Sequence, residues 1–199
     1  LPGDEINDAP QFDEITAGFH WSHALNDNWE VKHRFYLQRT DEDDNVALPS
    51  ELRADNRTLE RFFGGFRNNK VETYTTNLDL IGNIETFGIR HTVLMGGDYY
   101  NFNNTGLLID NFNFPAIDIF NPVHSGTAVR DPADDFFFDT REKWFGLYFQ
   151  DQIKLPYNFH LLAGFRYDVV TGRDKVANSS APTDDRFSPR GGLLWQPMP

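Results

Sequence analysis

Apolar positions along this chain recur with a period of two, and the helical period is almost nowhere. From Glu14 to Leu25 one face carries Ile15, Ala17, Phe19, Trp21 and Leu25; the other carries Thr16, Gly18, His20 and Ser22. Asn26-Asp27-Asn28 is a compact turn signal. A second strand is expected from Trp29 to Arg39, with Trp29, Val31, Phe35 and Leu37 on one face and His33 as the exception. Residues 40–56 read as a polar loop, and a Phe-rich piece at 58–67 as a strand continuing upward into solvent. Val71 to Ile84 follows, with Tyr74, Thr76, Leu78 and Leu80 on the apolar face, then a short turn near Glu85–Gly88 and a strand from Ile89 to Phe102. Residues 103–140 read as a long irregular loop. The clearest pair comes last: Trp144–Leu155, with Phe145, Leu147, Phe149 and Ile153 on one face, a tight turn at 156–158, and Phe159–Val170 returning. After a polar loop at 171–185, a final strand is expected from Arg186.

Connections therefore alternate short and long. That rhythm is expected of an antiparallel transmembrane β-barrel, with short periplasmic turns and long extracellular loops. One face of each strand suits lipid and the other a watery lumen. About seven strands are far fewer than the roughly 22 of a plugged transporter barrel. Residues 1–199 are thus expected to be part of one barrel domain. Both sheet edges should pair with strands outside the segment, because open edges in lipid leave backbone groups unsatisfied.

Composition agrees. Aromatic residues make up 15% of the chain and Phe occurs 19 times, yet mean hydropathy is −0.55. The apolar mass is aromatic and dispersed, as lipid-facing alternation and aromatic girdles require. No run approaches the roughly 18–20 apolar residues of a spanning helix. A net charge of −12 argues against nucleic acid as a partner. There is no cysteine, and no leader is visible at Leu1, so an export signal is expected outside the segment. The acidic runs, Asp41–Asp44 above all, read first as solvated loop charge and second as divalent-cation bridges to lipopolysaccharide.

Resident chemistry is not expected. His20 and His23, three apart on a strand, point to opposite faces. His124-Ser125 lacks the context of a hydrolase nucleophile. No catalytic residue, metal ligand or cofactor is assigned.

Five motifs in order carry a family likeness: His91-Thr92-Val93-Leu94-Met95-Gly96-Gly97-Asp98-Tyr99, Ile117-Asp118-Ile119-Phe120-Asn121-Pro122-Val123, Tyr148-Phe149-Gln150-Asp151-Gln152, Gly164-Phe165-Arg166-Tyr167-Asp168 and Phe187-Ser188-Pro189-Arg190-Gly191-Gly192-Leu193. Together they resemble the barrel of TonB-dependent siderophore receptors, in the ferrichrome-like branch. The resemblance implies an outer-membrane transporter that takes up ferric siderophores and is energised through TonB by way of a plug with its TonB box. The plug and the remaining strands lie outside the segment. Iron would arrive already coordinated, as cargo and not as a cofactor, with hydroxamate cargo mildly favoured by the 117–123 piece. Outer-membrane lipid and lipopolysaccharide would surround the wall.

The same resemblance implies a cargo pocket of aromatic side chains on the upper wall and loops. The candidates are Tyr99, Tyr100, Phe102, Phe112, Phe114, Phe120 and Trp144, which could equally be rim anchors or loop packing. Asp98, Gln150, Arg166, Asp168 and Arg190 fall on the lumen side, where they can pair with each other or with a plug. Gly146 and Gly164 would let the wall approach that plug closely. The main rival is a passive porin-like channel. An adhesive outer-membrane protein and a soluble β-sandwich rank below it.

Overall fold

The computed structural model describes residues 10–124 and 131–197, apart from the side chains of 111–113 and 134. The chain is one antiparallel sheet running β1 (Gln11–Asn26), β2 (Trp29–Leu52), β3 (Thr58–Thr86), β4 (Ile89–Asp118), β5 (Phe136–Lys154) and β6 (Phe159–Asp174). The two-residue β7 (Ser179–Ser180) and β8 (Asp184–Trp195) both pair with β6, its upper and lower parts respectively. Among the described residues, β1 and β8 each have a neighbour on one side only. Both are the edges that the sequence leaves to be paired elsewhere.

The short turns all lie at one end. Phe87 (φ 53°) and Gly88 (φ 77°) are both left-handed, the backbone of a two-residue hairpin turn. Asn28 N–H donates to the Asn26 side chain at 2.9 Å, closing the first turn. Tyr157 and Asn158 (φ 60° and 59°) close the third.

Above the wall the strands run far beyond the expected limits. Residues 40–52 and 103–118 belong to strands, not loops. β3 and β4 hold 29 and 30 residues, about 100 Å of strand, where a spanning strand needs about 9–11 residues. The excess builds a three-stranded arm from β2, β3 and β4. Its base is marked by paired register shifts at Glu42/Asp44 and Arg67/Lys70. Gly65 (φ 145°) is obligatory there, since a Cβ would overlap the Asp44 carbonyl. The arm holds most of the buried apolar residues: Ala47, Ile109, Phe114 and Ile117.

The wall below has no such core. Register places Phe19, Leu37, Leu78, Leu147, Phe165 and Leu193 on one face, and all are exposed. Stacked pairs cross that face: Phe19–Phe35, Phe149–Phe165 and Phe165–Phe187, with centroids 5.4–6.0 Å apart. A soluble monomer does not leave so continuous an apolar surface in water. His33, the exception in the β2 pattern, meets the Thr76 hydroxyl at 2.8 Å and stands edge-on to Phe19.

Candidate functional site

Two adjacent rows across the sheet build the centre of the polar face. Cross-strand pairing sets Arg34, Asn77, Asp98, Gly146, Asp168 and Arg186 in one row. The row beneath holds Lys32, Asp79, Gly96, Tyr148, Arg166 and Ser188. Arg166 bridges both. Its Nη1 and Nη2 donate to the Asp98 carboxylate at 2.7 and 2.9 Å, and its Nε donates to Asp168 at 2.7 Å. The Tyr148 hydroxyl donates to Asp79 and accepts from the Asn77 amide. Arg34 closes the other side, donating to Asn77 at 2.6 Å and to Asp79 at 3.0 Å. The guanidinium of Arg166 lies 5.6 Å from the Tyr148 ring centroid. One belt of charge-assisted bonds thus staples β2 to β6.

Two glycines make that belt possible. A Cβ at Gly146 would stand 2.2 Å from Arg166 Nη2 and 2.8 Å from Asp98 Oδ1. A Cβ at Gly96 would stand 2.5 Å from the Leu78 carbonyl, 2.8 Å from the Tyr148 hydroxyl and 2.9 Å from Asp79 Oδ1. At Gly146 the wall's own Arg166 occupies the space that a side chain would take. At Gly164, as at Gly96, a backbone carbonyl sets the limit, with the Phe149 oxygen 2.5 Å from the would-be Cβ.

Asp98, Gln150, Arg166, Asp168 and Arg190 all stand on the polar face by register. The structure joins Asp98, Arg166 and Asp168; Gln150 and Arg190 flank Gly164 one row below Tyr148 and Arg166. Toward the short-turn end the same face borders a cleft of about 1120 Å³, lined by Gln150 together with Gln152, Glu85, Arg90, Lys154 and His160. Arg34, Asn77, Asp79 and Tyr148 were missed in the sequence. Polar-face parity was available for all four; that Asp79 and Tyr148 both face Gly96 comes from the register.

The aromatic candidates separate. Tyr100, Phe102 and Trp144 gather on the polar face just above the belt, Tyr100 being 6.5 Å from Phe102 (stacked) and 6.1 Å from Trp144 (edge-on). Tyr99 stands on the opposite, apolar face, 5.7 Å from Tyr74. Phe114 is buried in the arm against Phe63, with Arg61 4.7 Å from its ring centroid. Phe120 is 74% exposed just beyond β4, far from the trio. The side chain of Phe112, and Ser125 entirely, lie outside the described residues.

The acidic run at 41–44 is strand, and the carboxylates of Asp41, Glu42 and Asp43 have partners. Asp41 meets Arg39 at 3.0 Å, which holds it below the usual carboxylate range, and Glu42 accepts from Asn69 at 2.8 Å. Among the described residues no three His, Asp or Glu side chains come together as a metal site.

A sequence model described as TonB dependent receptor-like, beta-barrel, matches residues 2–199. The metal-pseudopaline receptor CntO of Pseudomonas aeruginosa is 30% identical over 190 residues, covering 89% of this chain and 26% of that protein. The ferrioxamine B receptor of Salmonella typhimurium is 28% identical, covering 92% of this chain and 26% of that protein. The chain therefore spans about a quarter of the length of the curated relatives it matches. Among solved structures, the ferric-catecholate import receptor Fiu of E. coli aligns with TM-score 0.74 at 17% identity, covering 98% of this chain and 31% of that one. BauA, the ferric preacinetobactin receptor of Acinetobacter baumannii, aligns with TM-score 0.73 at 15% identity, covering 92% and 28%.

Proposed function

The chain belongs to the β-barrel family of TonB-dependent receptors, and on that premise we propose that the complete protein is an outer-membrane receptor importing ferric siderophores. Residues 1–199 form part of its barrel domain; a plug and further strands complete it. One observation carries the assignment of cargo binding: Tyr100, Phe102 and Trp144 cluster on the polar face, directly above the charged belt. Aromatic rings supply rigid contact area at low entropic cost. A ferric chelate resting on them would sit above Asp98, Arg166 and Asp168, which already satisfy one another and hold the wall beneath it in shape.

No covalent step is needed, since iron enters already bound by its chelator and leaves in the same form. The residues of this segment supply contact area and a stiff wall, and the release of cargo belongs to the plug and to the energy-coupling complex. The relatives' named cargoes differ, so the class, a metal bound by a small chelator, is the level at which the proposal stands.

The test is uptake of radiolabelled iron chelates by cells carrying the complete receptor, with and without the TonB complex. The proposal expects saturable accumulation that disappears when TonB is removed. Accumulation that rises linearly with concentration and ignores TonB would establish a passive channel in its place.

A further inference from the structure

A second site lies on the outside of the wall. On the apolar face, β5 leaves the aromatic band at Phe145, and the next outward positions are Lys143 and Arg141. Register sets Lys143 beside Thr171, and Arg141 beside Arg173. The chain after β6 then folds back: Ser179–Ser180 pairs with Arg173 and Asp174, and Ala181 N–H donates to the Gly172 carbonyl at 2.9 Å. That return builds the far bank of a groove of about 310 Å³. Its lining brings together three cations, Arg141, Lys143 and Arg173, and three hydroxyls, Thr171, Ser180 and Thr183, with no carboxylate.

In a chain of net charge −12 this grouping is against the composition. Two of the neighbouring acids, Asp139 and Asp185, are engaged elsewhere. Asp139 is held by Lys175 at 2.6 Å and by Thr105, and Asp185 accepts from the Tyr167 hydroxyl at 3.0 Å. Arg141 and Arg173 donate to the neutral amides of Asn101 and Asn178, both at 3.0 Å. Among the described residues none of the three cations meets a carboxylate. Lys143 stands two residues above Phe145, about 7 Å along the strand. The groove therefore opens where the apolar band ends on the long-loop side, at the level of the outer-leaflet headgroups.

We infer that this groove binds the phosphate groups of a phosphorylated outer-leaflet lipid, with its acyl chains lying down the apolar face beneath. The inference rests on the outer-membrane reading above. It differs from the expected divalent-cation bridge: Asp41, Glu42 and Asp43 have partners, and the charge gathered at this groove is positive. Guanidinium and ammonium groups beside hydroxyls are a donor set for phosphate oxygens, and the apolar band beneath selects a lipid over a free anion.

The complete receptor in detergent micelles is titrated with bisphosphorylated lipid A. Arg141→Gln/Lys143→Gln/Arg173→Gln is expected to weaken binding at least tenfold, whereas Arg141→Lys/Arg173→Lys and Lys175→Gln retain it. Dephosphorylated lipid A should bind the parent no better than the triple variant. Heat-modifiable migration on gels verifies that each barrel is folded, and a parent that fails it would instead count against the membrane reading. Unchanged binding in the folded triple variant, or equal binding of the dephosphorylated lipid, would overturn the inference. So would displacement of lipid A by millimolar inorganic phosphate, which would make the groove a free-anion site.

Discussion

Replacing Gly146 by Ala tests the charged belt at its tightest point. The new methyl would stand 2.2 Å from Arg166 Nη2 and 2.8 Å from Asp98 Oδ1. Arg166 is flexible, so the guanidinium moves off Asp98 and the backbone stays. Side-chain exposures of 38% and 32% make the Arg166–Asp98 pair half-wet, and Asp168 still holds Arg166. A bidentate charged pair in that setting is worth about 1–1.5 kcal/mol, between exposed and buried values. Ala in a strand gains about 0.5 kcal/mol over Gly, so Gly146→Ala alone should destabilise by about 0.5–1 kcal/mol. With Asp98→Ala already in place the pair is gone, and the same change should stabilise by about 0.5 kcal/mol. The assay is guanidinium unfolding of the complete receptor in micelles, followed by tryptophan fluorescence, for the four proteins of the cycle. A coupling energy below about 0.3 kcal/mol, meaning additive effects, would refute the argument that Gly146 exists for Arg166.

Tyr148→Phe removes the hydroxyl shared by Asp79 and Asn77, and should cost about 1–2 kcal/mol in the same assay, Asp79 being nearly buried. Trp144→Ala should weaken binding of the ferric chelate about tenfold, and Phe120→Ala should not, as read by titration calorimetry. Phe114→Ala opens the arm and not the wall, so limited proteolysis should cut within 44–66 while the β5–β6 hairpin stays intact. Asp55 is held at about 2 by the Thr58 hydroxyl and by the Thr58 and Arg57 N–H groups, below its ordinary 3.8. Its contribution to the loop between β2 and β3 is complete above pH 3.8 and is lost as pH falls toward 2. Amide exchange at Arg57 and Thr58 should therefore stay protected at pH 4; protection lost already at pH 5 would contradict that assignment.

The wall was legible in the sequence because lipid imposes one apolar face, and alternation records it strand by strand. Of the arm only the Phe-rich piece at 58–67 was legible as strand; in residues 40–52 and 103–118 polar residues interrupt the alternation that lipid imposes on the wall. Asp41 and Glu42 look like loop yet sit in β2, each with a cross-strand or local partner. Prolines sit where one side of a strand is free. Pro49 and Pro115 lie where β2 has outrun β1 and β4 has outrun β5, and Pro189 lies on the edge strand β8. At an edge, a missing N–H costs the ladder nothing. The site was half legible. Parity placed Asp98, Arg166 and Asp168 on the lumen side, and it could also have split Tyr99 from Tyr100, adjacent residues on opposite faces. What parity could not give was reach across strands: that Arg166 lies over Gly146, and Tyr148 over Gly96, follows only from the register between strands.

The most direct test of the account is equilibrium binding of a panel of ferric siderophores to the complete receptor purified from outer membranes, beside its Trp144→Ala variant. Saturable binding of at least one ferric chelate, weakened about tenfold in the variant, is the predicted result. No saturable binding across the panel, together with steady ion conductance through the protein in a planar bilayer, would contradict the receptor and leave an open channel.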